Sequence, residues 1–162
     1  MNTQIMTRGA LAGAVGGMAM AMWSMIVLWL THAGFWEPLN LIAHTFWRAA
    51  PLGSDFSFGA AALGLIVHMM MSMVLGVVFA LGAQRIRVHA VTLAGIGMVY
   101  GLVAWVLMQY VVWRIVDADA AEAFTPWVFA VGHAMFGATT GLVVRALEKA
   151  AAGGTLGHPT TP

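Results

Sequence analysis

Two histidines, His68 and His133, sit inside long apolar stretches, and each opens the same pattern, His-x-Met-x5-Gly. His68, Met70 and Gly76 form one copy; His133, Met135 and Gly141 form the other. An ionisable side chain at membrane depth is costly and marks a functional site whose partner has to be named. The partner at hand is the other histidine. Two facing imidazoles can hold one haem b iron axially, with nearby glycines clearing room for the macrocycle. They can equally hold a metal ion such as copper, because Met71, one turn from His68, is a soft ligand that copper(I) accepts. Two further roles stay open: interhelical hydrogen bonding to Ser72, Thr139, Gln109 or backbone carbonyls, and a proton or ion pathway. The His-x-Met pair is no chelate, since residues two apart point to nearly opposite sides of a helix. Trp23 and Trp105 fall at matching levels near the histidines, and Gln109 shares a stripe with Gly97, Gly101 and Trp105, so these three are candidate cavity walls.

The elements that must position these residues follow from composition. Of 162 residues, 61% are hydrophobic and 8% charged, whereas a soluble domain carries about a quarter charged residues. Four stretches reach the roughly 20 apolar residues that a helix needs to cross a bilayer: Ala10–Leu30, Phe58–Ala83, Ala90–Val112 and Pro126–Val144. None contains Asp, Glu, Lys or Arg. Without water in the hydrocarbon, and without strand-like alternation, the backbone is satisfied as helix. The expected fold is all-α, a polytopic four-helix bundle in one transmembrane domain over residues 1–150. The first span is too long for a signal-peptide core and is expected to be retained.

Arg8, Arg85, Arg87, Arg145 and Lys149, five of the seven Lys and Arg residues, fall on one side of this arrangement. The other side carries Arg48 and Arg114 with five acids, Glu37, Asp55, Asp117, Asp119 and Glu122. The positive-inside rule therefore puts both termini in the cytoplasm. Trp29, Trp36, Trp47, Trp113 and Trp127 cluster at the outer ends, as an interfacial belt does.

Spans one and three share Leu-Ala-Gly followed at a fixed distance by Trp: Leu11-Ala12-Gly13 to Trp23, and Leu93-Ala94-Gly95 to Trp105, at an offset of 82. Spans two and four share the histidine pattern at an offset of 65, and the difference is extra length in the first outer loop. The chain thus reads as two duplicated, parallel helical hairpins related by a pseudo-two-fold axis along the membrane normal. Small residues recur every four positions, as in Gly9, Gly13 and Gly17, in Gly64, Ser72 and Gly76, in Gly97 and Gly101, and in Gly137 and Gly141. Such stripes let helix backbones approach closely in lipid. Both histidines lie on these stripes, roughly 10–15 Å deep at 1.5 Å per residue, and so are expected to point inward and face each other.

In the first outer loop, Glu37–Ala50 has helical spacing behind Pro38 and is expected to lie as a short amphipathic helix on the membrane surface, with Asn40, His44 and Arg48 on a solvated face. The loop with Asp117, Asp119 and Glu122 lacks the spacing and glycine of a calcium site and reads as a solvated turn. Residues 151–162 mix Gly, Thr and Pro without periodicity and read as a disordered cytoplasmic tail.

With no cysteine there is no thiolate chemistry or disulfide. No Ser–His–Asp set, carboxylate pair or phosphate loop is apparent, so no enzyme is expected. The near-neutral charge gives no nucleic-acid surface. The duplicated hairpins, with Gly-rich first helices and Gly132-His133…Gly137…Gly141 in the last, resemble the YagU-like small bacterial inner-membrane proteins over Arg8 to Arg145. That resemblance implies a polytopic inner-membrane protein and supplies no catalytic residues. The expected function is that of a non-enzymatic binding or accessory protein of the lipid bilayer, in a larger membrane complex or as a homo-oligomer. The alternative is a small transporter or channel with the histidines in its pathway.

The charge asymmetry makes a direct prediction. An alkaline-phosphatase fusion at Ala118 will be active and one at Arg87 inactive, with fluorescent-protein fusions giving the reverse; an active phosphatase at Arg87 refutes the orientation.

Overall fold

In helix α1 (Thr3–Leu30) the exposed positions Leu11, Val15, Met18, Met22 and Ile26 step by three or four residues along one face, while Gly9, Ala12, Gly13, Gly16, Gly17, Ala21 and Ser24 are buried. Large side chains face outward and small ones inward. Hydrocarbon rewards this pattern, because lipid solvates a large apolar side chain as well as a protein core does, and what holds helices together is close backbone approach. The computed structural model describes residues 3–154, which are helical throughout apart from turns and loops and contain no strand. Four of its helical segments are long and apolar enough to cross a membrane: Thr3–Leu30, Phe58–Ala83, Ala90–Val116 and Pro126–Ala152. The chain is an integral membrane protein with a four-helix bundle.

The spanning helices are α1, α3 (Phe58–Ala83), α4 (Ala90–Leu107) continued through a π-helical turn (Met108–Val112) and α5 (Trp113–Val116), and α7 (Pro126–Gly154). Helix α1 packs extensively on α3 and on α7, and α7 packs on α4, but α3 and α4 barely touch. The order in space is therefore a bent row, α3–α1–α7–α4. Glycines make the tight crossings. A Cβ at Gly13 or Gly76 would strike the facing backbone of α3 or α1, and one at Gly97, Gly101 or Gly137 would strike the facing backbone of α7 or α4. At the end holding the termini, α3 and α4 are joined by the Tyr100 hydroxyl, which donates to the Leu75 carbonyl at 2.9 Å, and by the ring contact of Tyr100 with Phe79. A core of Ala12, Phe79, Ala80, Leu93 and Val144 closes that end.

The last and third spans are longer than their apolar cores suggested. Ala151–Gly154 continue α7 as helix, where a tail was expected, and residues 155–162 lie outside those described. The π turn adds a residue per turn beyond Gly101, which lies against the His133 carbonyl, and such bulges recur at functional sites. Helix α1 is unbroken.

The first outer loop does form a helix, α2 (Glu37–His44), with Pro38 in its first turn, but it stops at His44 and its polar face is buried, not solvated. The Leu39 carbonyl fills the space beside Gly64 of α3, so that glycine serves α2 rather than another spanning helix. Asn40 is fully buried and donates from Nδ2 to the Gly53 and Asp55 carbonyls, both at 2.8 Å. His44 and Arg48 both reach Asp117 across the bundle, at 2.7 Å and 2.6 Å. Asp117 is buried and accepts from the Ala120 N–H, capping the short helix α6 (Ala118–Ala123). The loop expected as a solvated turn is thus the anchor of a cap, and charge found its partner across 73 residues of sequence.

Gly137→Ala forces apart the backbones of α4 and α7 and is expected to destabilise the protein by about 1–3 kcal/mol, the usual cost of overpacking. Gly95→Ala, beside open space, should leave stability unchanged. Thermal unfolding in detergent followed by circular dichroism compares the two, and equal melting temperatures would contradict the packing.

Candidate functional site

Because α3 and α4 separate above the Tyr100–Phe79 contact, the bundle encloses a cavity of about 280 Å³ on the side of α2. Its walls come from every spanning helix, and Pro38, Leu39 and Ile42 of α2 roof it. The lining is almost wholly apolar. Of the residues singled out by sequence, His68, His133, Met71, Trp105 and Gln109 all line this one cavity. Two histidines 65 residues apart are thereby brought to a common space.

Each imidazole has one nitrogen committed to a backbone carbonyl. His68 Nε2 lies 2.9 Å from the Gly17 carbonyl of α1, and His133 Nδ1 lies 2.8 Å from the Phe129 carbonyl one turn earlier in α7. A carbonyl only accepts, so these nitrogens carry hydrogen. In the neutral ring the other nitrogen, Nδ1 of His68 and Nε2 of His133, then keeps a lone pair. Fixing the tautomer through a carbonyl is how proteins prepare a histidine to bind a metal or to accept a hydrogen bond.

The remaining candidates behave differently from one another. Trp23 is not part of the cavity lining. Its indole Nε1 donates to the Val128 carbonyl at 3.0 Å and braces α1 against α7. Trp105 does line the cavity, and its Nε1 is buried without a partner among the described residues. The pair differ because α1 meets α7 whereas α4 does not meet α3. Gln109 donates to the Ala121 carbonyl at 3.1 Å, holding α6 and not a histidine. The space beside the glycines near the histidines is filled by neighbouring backbone or, at Gly17 and Gly132, by side chains, so they do not clear space for a flat macrocycle.

No family, curated protein or solved structure matches the chain. The site is therefore argued from its own geometry.

Two lining residues passed over in the sequence are Ser24 and Thr45, whose hydroxyls are buried and have no partner among the described residues. Ser24 left a faint signal, a hydroxyl near the outer end of span one one turn beyond Ala21 on the buried small-residue face. Thr45 left none, because its role depends on α2 folding down over the bundle. Among the described residues no cluster of three or more His, Cys, Asp or Glu side chains could hold a metal; any ion would rest on the two histidines with Met71.

The cap over the cavity is pinned by Asp117. Burial alone would raise its carboxyl, but the His44 imidazole, the Ala120 N–H and the Arg48 guanidinium together hold it below the ordinary carboxylate value. Arg48 Nη2 also donates to the Val116 carbonyl at 2.7 Å, closing α5 against the stretch after α2. A depressed carboxyl stabilises the fold above its unfolded value, about 3.9, and that contribution is lost as pH falls through the folded value. Unfolding followed from pH 7 to pH 2 should therefore show a loss of stability below about pH 4. Asp117→Asn should flatten this dependence while costing about 1–3 kcal/mol at pH 7. An unchanged acid limb in the variant would remove Asp117 from that role.

Proposed function

We propose that this chain is a non-catalytic binding protein of the bacterial inner membrane, acting as a homo-oligomer or as an accessory subunit of a larger complex, with its site in the cavity that His68 and His133 share. The cap of α2 and α6 faces the periplasm in this reading, and both termini face the cytoplasm. One observation carries it. Imidazoles from equivalent places in two hairpins line one apolar cavity, each with a single lone-pair nitrogen left after its carbonyl bond. Pre-formed apolar cavities with a few converging polar groups are where proteins hold small ligands.

Of the occupants the histidines suggest, haem b has the weaker support, because the glycines that would admit its plane are used for helix packing. Copper(I) has more, since Met71 lines the same cavity and adds a thioether to two imidazoles. The rival role, a transporter or channel, needs a continuous polar path. The apolar core around Phe79 and Leu93 stands below the cavity and speaks against one.

The test is to purify the protein from native membranes beside His68→Phe/His133→Phe, and to compare absorption spectra, metal content and native mass. The wild type should carry a bound species, metal or organic, at about one per chain that the double variant lacks. Wild type and variant with identical spectra, metal content and mass would overturn the proposal.

A further inference from the structure

The cavity's free lone pairs describe its ligand. His68 and His133 both line it, and each keeps one free ring nitrogen after its carbonyl bond. In the neutral ring these nitrogens accept and do not donate. A polar group left without a partner is expensive, and more so in hydrocarbon, where no water can replace the partner. A hydrocarbon guest would satisfy neither nitrogen. A carboxylate or phosphate would need a cation, and no Lys or Arg lines the cavity; a cationic amine would need an acid, and no Asp or Glu does. One copper ion would use the imidazoles and Met71 but would leave much of the 280 Å³ empty. A neutral hydroxyl on an apolar body fits, because its hydrogen goes to an imidazole nitrogen while the body fills the apolar space. Trp105 Nε1, Ser24 Oγ and Thr45 Oγ1, unpartnered among the described residues, are closed off from the cavity and take no part.

The route in is set by the same separation of helices. Phe46, Met71, Val112 and Val116 line the cavity and are also exposed, at 65%, 40%, 40% and 47%. These partly exposed wall residues are all apolar. They belong to α3, to the segment following α2, and to the π turn and α5, the elements flanking the gap that α3 and α4 leave open. We propose that the cavity receives a neutral, hydroxyl-bearing amphiphile, a lipid alcohol or phenol, which enters sideways from the bilayer between α3 and α4. Its hydroxyl donates to the free nitrogen of His68 or His133, and its apolar tail remains at the lipid-facing mouth. This rests on the cavity being the binding site, and the experiment separates the two claims.

The full chain in lipid nanodiscs is titrated with tritiated 4-octylphenol, with 4-octylanisole, whose methyl ether removes the donor, and with octylbenzene, which has no oxygen. Binding to empty nanodiscs is subtracted. Saturable binding of the phenol at one per chain is expected, with the other two weaker by about tenfold or more, the equivalent of a hydrogen bond or two. His68→Phe/His133→Phe should weaken the phenol about three- to tenfold and leave octylbenzene unchanged. Circular dichroism and elution volume matching the wild type would show that this variant is folded. Equal binding of the three probes, or phenol affinity untouched by His68→Phe/His133→Phe, overturns hydroxyl recognition by the histidines while keeping the cavity as a binding site. Saturable copper(I) binding lost in His68→Phe/His133→Phe, with no saturable phenol, overturns the ligand class and keeps the histidine pair. Saturable binding of neither phenol nor copper(I) overturns both.

Discussion

Close approach of helix backbones through small residues is the interaction on which this structure depends. In water a helix pair is driven together by burial of large apolar side chains, but in lipid that drive vanishes and contact surface between backbones has to supply the attraction. The chain answers with Gly13 against Ser72 and Gly76, Gly97 against Gly137, and Gly101 against the His133 carbonyl. Each contact spends a glycine to gain proximity, and the large side chains are displaced to the lipid side. The histidines owe their inward position to this arrangement, since they lie on the same stripes as the glycines.

The second organising feature is an unequal pair of cross-contacts. A closed square of four helices would need α1 against α7 and α3 against α4 alike. Here α1 and α7 pack closely while α3 and α4 barely touch, and the π turn supplies Met108, Gln109 and Val112 to the cavity wall. Trp23 and Trp105 differ accordingly: among the described residues the first has a carbonyl to donate to, and the second has none.

Much of this was legible in the sequence, for physical reasons that also mark where legibility ended. Four charge-free apolar runs fix the spans, and small residues every fourth position fix which face turns inward, because those signals are local and periodic. His68 and His133 lie on those stripes, and both line the cavity. What escaped was non-local. The amphipathic stretch after Glu37 has the pattern of a surface helix, and nothing near it reveals that Asp117 will neutralise its polar face. Gln109 and Trp23 have the polarity of site residues, but the carbonyls of Ala121 and Val128 claim them. The π turn has no sequence signature as clear as a proline, and without it the lining contributed by Met108, Gln109 and Val112 could not be assigned.

The cap imposes an order on biogenesis. Asn40 can be satisfied once Gly53 and Asp55 have been made, but His44 and Arg48 wait for Asp117, which emerges from the ribosome only after a third span has been synthesised. Until then, the roof has no latch, and its polar side chains must remain hydrated at the membrane border. The chamber is therefore completed by one of the last tertiary events of synthesis. A nascent chain stalled before that acid would expose an unfinished hollow to the surrounding lipid, a state that membrane quality control could distinguish from the finished protein.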